Sequence, residues 1–162
     1  MDNEANKKEP HWKLNSYTME PAQTYTFLMC RPDHFGVKYV INPWMKGNVG
    51  RSNNSVAVRQ WENLFKILSG VAVVKLIDPV ENLPDMVFTA NAGIVSEKKA
   101  VLSHFRYPER QPEEKFFEQW FHRQGFEICK ISPRFLFEGA GDALFDCEGN
   151  RLFCAYGSRT SL

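Results

Sequence analysis

The chain has 162 residues, of which 43% are hydrophobic, and its formal net charge is +1. These values predict one globular domain. They exclude a global field that would attract nucleic acid or an anionic membrane, and no apolar run of roughly 18 residues is present to span a bilayer. The polar start lacks the apolar stretch of a signal peptide. We therefore expect a cytoplasmic protein with a flexible tail at residues 1–22 and one domain at residues 23–162.

Two strands, a helix and a third strand are predicted first along the chain. β-forming residues bounded by turn residues predict strands at 24–30, 37–44 and 72–79. Capping residues at 52–54 and a left-handed Gly70 delimit a helix of about 16 residues before the third strand. Its predicted apolar face recurs at helical spacing and consists of Val58, Trp61, Leu64, Phe65 and Leu68.

The same order then recurs. Strands are predicted at 86–95 and 100–105, and the next helix begins near Pro112 and ends at Gly125. Its apolar stripe is Phe116, Phe117, Trp120 and Phe121. A strand at 126–132 closes this unit, and strands at 142–146 and 151–157 begin a third. The period of about 50 residues predicts an α/β repeat fold.

The third hairpin has no helix to cover it, which would leave an apolar face and an open strand edge. We interpret this as truncation; the alternative is that the last residues pair elsewhere.

Polar residues beside small ones lie at the same end of each predicted repeat. Asn42 lies in INPWM, Asp85 and Asn91 lie in LPDMVFTANAG, and Glu138 and Asp142 lie in FEGAGD. If the repeats pack around an axis, these ends converge on one centre. A site rich in acceptors suits a planar cation with many N–H donors, such as a guanidinium.

Arg110, in YPERQ, is the cation that would pair with a carboxylate of the same ligand in a bidentate contact. Each residue also has a structural alternative. Asn91 would be a turn residue that tolerates positive φ. Glu138 would begin a β-bulge in which Asp142 bonds backbone N–H groups, and Arg110 would be a surface residue. Their matched places in the repeat favour the functional interpretation.

Cleavage of a guanidine carbon–nitrogen bond needs a nucleophile and a proton shuttle. No histidine neighbours a cysteine in the sequence or lies in the glycine-rich strand ends. We interpret the cysteines as reduced, mostly buried thiols and expect no metal, no cofactor and no nucleophile among them. The histidines are His11, His34, His104 and His122, and the cysteines are Cys30, Cys129, Cys147 and Cys154.

Four stretches resemble the superfamily of guanidine-modifying enzymes, which includes arginine deiminase, dimethylarginine dimethylaminohydrolase and the amidinotransferases. They are RPDHFGVKYVINPWM, LPDMVFTANAGIV, LSHFRYPERQPEE and FEGAGDALFD. The resemblance covers roughly residues 24–159 and points to the arginine dihydrolase branch. It implies the pentein fold, an α/β propeller of five strand-strand-helix-strand units with a central site. This chain would hold about two and a half of the five.

The resemblance also implies a chemistry and a role for single residues. A cysteine thiolate attacks the guanidinium carbon, and a histidine moves protons. Glu138 would be the catalytic acid that binds the guanidinium and partners that histidine. Asn91 stands where deiminases carry an aspartate and is similar to the dihydrolases, which hydrolyse arginine twice. Asn42 and Arg110 match substrate-contacting positions, with Arg110 holding the α-carboxylate; Asp85 and Asp142 complete the predicted binding set.

In the family, the histidine and the cysteine nucleophile follow FEGAGD well downstream. The resemblance therefore implies the amino-terminal portion of an arginine hydrolase, which binds a small guanidine substrate and does not turn it over alone. The alternative is a non-catalytic module that binds arginine or another protein. An open strand edge would allow a homo-oligomer or pairing with the missing carboxy-terminal part.

Overall fold

A computed structural model describes residues 25–146 and 151–161. The predicted tail at residues 1–22 and the turn at residues 147–150, which includes Cys147, lie outside the described residues. Seven strands and two α-helices occur in the described part. In chain order they are β1 (Thr26–Cys30), α1 (Asn54–Ser69), β2 (Val73–Ile77), β3 (Gly93–Ser96), β4 (Lys99–Leu102), α2 (Glu114–Arg123), β5 (Glu127–Cys129), β6 (Ala143–Phe145) and β7 (Leu152–Cys154).

Three small sheets make up the β structure. β1 and β2 pair in parallel. In the second sheet β4 is central, antiparallel to β3 and parallel to β5. β6 and β7 form an antiparallel hairpin. Each parallel pair is joined through a helix, as a crossover requires, so the predicted mixed α/β class is confirmed.

The predicted strand at 37–44 is wrong, because this segment is a loop that runs into successive turns. The backbone N–H of Met45 bonds both the carbonyl and the side-chain oxygen of Asn42, and Lys46 N–H bonds the Pro43 carbonyl. These turns satisfy the backbone locally, so it does not pair with a neighbouring strand. β1, which pairs with β2 across α1, matches β4, which pairs with β5 across α2. The first unit therefore has one described strand before its helix, where two were predicted.

The predicted strand at 86–95 is also largely wrong. Two short 3₁₀ helices, Pro84–Val87 and Thr89–Ala92, precede the strand β3, which begins only at Gly93. Phe88 N–H bonds Asp85 O at 3.0 Å, and Asn91 N–H bonds Phe88 O at 2.9 Å. The backbone therefore forms two short helical turns before β3, and these turns carry Asp85 and Asn91.

Both predicted helices are confirmed, with two corrections in α1. Gly70 ends α1 in a right-handed conformation, at φ −78°, rather than the expected left-handed one. Leu64 is exposed, whereas the rest of its predicted apolar face is half-buried. Gly125, after α2, does take a positive φ of 81°.

The core lies between α2 and the first two sheets. Phe117, Trp120 and Phe121 of α2 are buried there with Cys30 and Ile77 of the first sheet. The indole Nε1–H of Trp120 donates to the β2 carbonyl of Leu76 at 2.8 Å. This bond satisfies a buried donor and fixes α2 against the neighbouring sheet.

Glycines allow two 3₁₀ helices to pack directly on each other. Gly139–Gly141 forms the second of them and lies against Thr89–Ala92 and Gly93. A Cβ on Gly139 would lie 2.6 Å from the backbone nitrogen of Gly93, and Gly139 also has φ +59°. No side chain fits that gap. The contact brings Asn91 and Glu138 together.

The last hairpin exposes much of its apolar surface. Leu144 and Phe153 are each 63% exposed, and Phe145 and Leu152 are exposed as well. Among the described helices, none is both long and apolar enough to cross a membrane.

Candidate functional site

Five of the six predicted site residues line one cavity of about 800 Å³: Asn42, Asp85, Asn91, Arg110 and Glu138. Its wall also includes the loop around residues 35–45 and the segment 158–159. The sixth residue, Asp142, contacts the cavity-lining Arg159. A second cavity, of about 790 Å³, contains none of the six and is lined largely by apolar side chains. The predicted site residues are therefore concentrated in the first cavity.

Arg110 connects several of the other site residues through hydrogen bonds. Its guanidinium is 4% exposed and makes a bidentate pair with the fully buried Glu113, through Nε at 3.2 Å and Nη2 at 2.8 Å. Nη1 donates to Asn91 Oδ1 at 3.2 Å, and Nη2 donates to the Asp85 carbonyl at 3.3 Å. The guanidinium also lies 4.3 Å from the ring centre of Phe105, a cation–π contact. The alternative of a surface arginine is wrong.

The bidentate partner of Arg110 is thus Glu113 rather than a ligand. A guanidinium has five N–H donors, and the protein accepts four of those of Arg110. One Nη1 hydrogen remains, and Nη1 lies 3.9 Å from Glu138 Oε2. Arg110 therefore offers a ligand one hydrogen bond and a positive charge. Burial raises the pKa of Glu113 to about 7, against the lowering effect of Arg110.

Glu138 is buried, at 1% exposure, and only partly satisfied. Its Oε2 accepts from Arg159 Nη1 at 3.2 Å, while its Oε1 is buried without a hydrogen-bond partner. Burial raises the pKa of Glu138, and the guanidinium groups of Arg159 and Arg110 oppose that rise. A buried acceptor without a partner is costly, so a donor from a ligand would be stabilising here.

Asn91 bridges the two halves of the site through its side-chain amide. Oδ1 accepts from Arg110, and Nδ2 donates to the backbone carbonyl of Glu138 at 3.2 Å. Asn91 does not have a positive φ, so its alternative as a left-handed turn residue is wrong. An aspartate could make the first of these bonds but lacks the donor for the second.

Asp85 and Asp142 are each held by a hydroxyl. Asp85 Oδ2 accepts from Tyr39 at 2.9 Å, and burial raises the Asp85 pKa. Asp142 Oδ2 accepts from Thr160 at 2.8 Å, and its Oδ1 contacts Arg159. The segment after Glu138 is a 3₁₀ helix. The alternative of a β-bulge with Asp142 on backbone N–H groups is therefore wrong.

Sequence reasoning missed Tyr39, Glu113 and Arg159 as site residues. Tyr39 falls within the predicted strand at 37–44, and Glu113 lies at the start of the predicted second helix. For Arg159 a signal was available in the repeat. Arg110 follows the hairpin β3–β4, and Arg159 follows the hairpin β6–β7. Both arginines approach Glu138 Oε2, Arg110 to 3.9 Å and Arg159 to 3.2 Å.

No histidine or cysteine is among the described residues that line this cavity. Within residues 25–146 and 151–161, no group of His, Cys, Asp and Glu is arranged to hold a metal ion. Burial raises the pKa of the Cys30 thiol to about 12, so it is a poor nucleophile. Cys154 is exposed and Cys129 half-buried; of the described cysteines only Cys30 is buried, fewer than expected.

Comparison with known proteins agrees with the predicted resemblance. The chain is 49% identical over 141 residues to the bifunctional arginine dihydrolase/ornithine cyclodeaminase ArgZ of Synechocystis, covering 87% of this chain and 20% of ArgZ. It is 50% identical over 136 residues to AgrE of Nostoc, which has the same description, covering 84% of this chain and 19% of AgrE. The chain therefore spans about a fifth of the length of these relatives.

Solved structures agree on the fold. A substrate-bound form of the N-terminal domain of ArgZ, described as a cyanobacterial arginine dihydrolase, superposes with a TM-score of 0.83 at 50% identity, covering 85% of this chain and 51% of that one. A dimethylarginine dimethylaminohydrolase adduct gives 0.70 at 18% identity, covering 85% and 51%. The fold is thus the mixed α/β pentein fold of these hydrolases. Residues 31–162 match the family described as N,N dimethylarginine dimethylhydrolase, eukaryotic, and the chain belongs to that family.

Proposed function

We propose that this chain carries the guanidinium-binding part of an arginine-hydrolysing site. The observation that carries the proposal is Glu138, a buried carboxylate with one unpartnered oxygen, whose other oxygen already accepts from a guanidinium, that of Arg159. A buried acceptor that binds one guanidinium inside the protein is suited to bind another from a ligand. The likeness to the substrate-bound ArgZ domain supports arginine as that ligand.

The roles of the other residues follow from their contacts. Arg110, held by Glu113, fixes Asn91 and the Asp85 carbonyl, and it offers its remaining hydrogen and charge to the anionic end of a ligand. Asn91 presents an amide beside the Glu138 backbone, where deiminases carry a carboxylate. An amide lowers the preference of the site for a fixed cation, which would let a neutral ureido intermediate stay bound for a second hydrolysis.

Hydrolysis of arginine needs chemical groups that binding alone does not need. The described residues of the cavity wall supply neither a thiolate nor an imidazole, and the hydrolysis of a guanidine needs both roles. We therefore propose that the 162-residue chain binds arginine without hydrolysing it. The second candidate, a non-catalytic arginine-binding protein, shares the same cavity. Measurement of ammonia release from arginine by the 162-residue chain tests this point, and steady release over many turnovers would contradict it.

The binding proposal is tested by titrating L-arginine into the wild-type chain and into Glu138→Gln, which keeps the size and removes the charge. A charge-assisted hydrogen bond contributes about 1.5–3 kcal/mol, so we expect affinity to fall roughly 10- to 150-fold. Glu109→Gln, a change at an exposed carboxylate in the loop before α2, is the matched control and is expected to leave the affinity unchanged. Equal affinities for wild type and Glu138→Gln would exclude the assigned role of Glu138.

A further inference from the structure

A smaller cavity, of about 220 Å³, lies between α2, the end of β4 and the loop after β5. It shares no lining residue with the cavity of about 800 Å³ that contains the predicted site residues. Its wall combines polar and apolar side chains. The polar residues are Ser103, His104, Glu114, Glu118 and Lys130, and the apolar ones are Leu102, Ile131 and Pro133.

Ser103 is a lining residue whose side chain has unused hydrogen-bonding capacity. The residue is 5% exposed, and its backbone N–H donates to the Ala92 carbonyl at 3.2 Å. Its hydroxyl oxygen, by contrast, is buried and has no hydrogen-bond partner within the described residues. A buried hydroxyl without a partner is costly, so a polar ligand in the cavity would stabilise this side chain.

The two carboxylates of the wall can accept further hydrogen bonds. Glu114 Oε1 accepts from the backbone N–H of Phe105 at 2.8 Å, and the two Glu114 oxygens lie 3.3 and 3.4 Å from His104 Nδ1. Glu118 Oε1 pairs with Lys130 Nζ at 2.7 Å. Two carboxylates thus line the cavity with one ammonium group, which leaves the wall net negative when His104 is neutral. Because a carboxylate has about four lone-pair sites, both can also accept from a bound cation.

The volume and the apolar part of the wall indicate the size of that cation. One water molecule takes up about 30 Å³ of the liquid, so a cavity of about 220 Å³ is several times larger than a bare ammonium ion needs. Leu102, Ile131 and Pro133 offer contacts to a short hydrocarbon chain, and each methylene that is buried contributes about 0.8 kcal/mol. The cavity therefore suits a cation that carries a few carbon atoms.

We propose that this cavity binds a small primary alkylammonium ion, whose three N–H donors are accepted by Glu114, Glu118 and the hydroxyl of Ser103. An ammonium group has three donors and no acceptor, which matches two carboxylates and one unpartnered hydroxyl. The apolar part of the wall covers the alkyl chain. The inference does not depend on the proposed function, because the two cavities have no lining residue in common.

The test titrates n-butylammonium chloride into the 162-residue chain, at constant ionic strength and about pH 8, where an amine of the lysine type is protonated. Binding is followed through the amide shifts in ¹H–¹⁵N spectra. We expect saturable shifts of residues around Ser103 and Glu114. 1-Butanol, the neutral counterpart, should bind at least about tenfold more weakly because it lacks the charge. Ammonium chloride should also bind at least about tenfold more weakly because it lacks the chain.

Ser103→Ala separates a binding role from a structural one. The affinity for n-butylammonium should fall about 3- to 10-fold, because one acceptor is lost. The midpoint of thermal unfolding should stay the same or rise, because the variant removes a buried hydroxyl without a partner. Ser96→Ala, at an exposed serine that ends β3, is the matched control and should leave the affinity unchanged.

Glu118→Gln is the second variant and lies on the half-buried side of α2, so it keeps the proposal testable if Ser103→Ala does not fold. Removal of this charge should weaken n-butylammonium about 3- to 5-fold, as expected for a partly exposed pair. Binding of 1-butanol should not change.

The possible outcomes decide between these assignments. Saturable shifts around the smaller cavity, weakened in Glu118→Gln and in folded Ser103→Ala, support the proposal. Equal binding of n-butylammonium and 1-butanol would overturn it, as would the absence of saturable shifts. Shifts centred on Glu138 would place the amine in the larger cavity and would also overturn it. Arginine affinity should be the same in Ser103→Ala and wild type, so a failure of this inference leaves the proposed function untouched.

Discussion

The residues around the cavity form an inner half and an outer half, which differ in burial and in how their charged groups are paired. The inner half consists of Asp85, Asn91, Arg110 and Glu113, all buried and bonded mainly to one another. The outer half is the pair of Arg159 with Asp142, which solvent reaches. Glu138 lies between them and contacts an arginine from each side. A buried network whose partners are already satisfied sets shape, whereas a half-exposed ion pair can exchange its partner.

Glu113→Ala is expected to have the largest effect, because it leaves the guanidinium of Arg110 buried without its bidentate partner. Removing one member of a buried ion pair costs about 3–5 kcal/mol, so we expect the free energy of unfolding in urea to fall by about that amount. Glu109→Ala, in the same loop but exposed, should change it by less than about 0.5 kcal/mol. A cost for Glu113→Ala as small as that of its control would mean that the inner half is not a structural network.

The second test uses pH and follows from the raised pKa of Glu113, about 7 in the folded protein against an ordinary 4.5. Between these values the folded state binds more protons than the unfolded state, so this contribution to stability is complete below about pH 4.5 and is lost as pH rises through 7. The expected loss is on the order of 3 kcal/mol at most.

Urea unfolding at several pH values between 4.5 and 8 measures this loss against Glu113→Gln, which cannot titrate. The wild type should lose stability relative to the variant as the pH rises. Parallel pH profiles for the two proteins would show that Glu113 titrates normally.

Gly139→Ala tests the contact between the two 3₁₀ helices Thr89–Ala92 and Gly139–Gly141. Its Cβ would meet the Gly93 backbone at 2.6–2.8 Å, at a φ of +59°. Overpacking costs about 1–3 kcal/mol, in addition to the cost of placing alanine in the left-handed region. Gly125→Ala is the matched control, since Gly125 has φ +81° and a Cβ added there would have no other atom within 4 Å. Thermal unfolding should show the larger loss for Gly139→Ala, and equal losses would exclude a close contact between the two 3₁₀ helices.

Asn91→Asp has the smallest expected effect and tests how the site discriminates between a guanidinium and a ureido group. The new carboxylate strengthens the charge pairing in the cavity but loses the hydrogen bond to the Glu138 carbonyl. We expect the ratio of arginine affinity to citrulline affinity to rise about 3- to 10-fold, measured by titration of both ligands. An unchanged ratio would separate Asn91 from the discrimination between guanidinium and ureido groups.

Local signals predicted the helices well and the loops poorly. Asn53 caps α1 as expected, and Phe117, Trp120 and Phe121 of the predicted α2 stripe are buried while Phe116 is half-buried, because both signals act within one or two turns. Residues 37–44 have strand-forming side chains, yet the turns at Asn42 satisfy the backbone without a neighbouring strand. A β-propensity acts only where a partner strand is present.

The convergence of Asp85, Asn91 and Glu138 was predictable from their matched places in the repeat. Their individual bonds were not. Glu113 lies three residues after Arg110, and nothing local distinguishes a helix-start carboxylate from one turned inward to a buried guanidinium. The place of Arg159 after the β6–β7 hairpin indicated a site arginine, but its bond to Glu138 joins residues 21 positions apart, so its partner could not be predicted.

A crystal structure of the chain with L-arginine bound would show whether Glu138 is the guanidinium acceptor. We predict the ligand guanidinium within hydrogen-bond distance of Glu138, roughly 2.7–3.2 Å. Arginine bound elsewhere, or bound in the cavity with its guanidinium away from Glu138, would contradict this assignment.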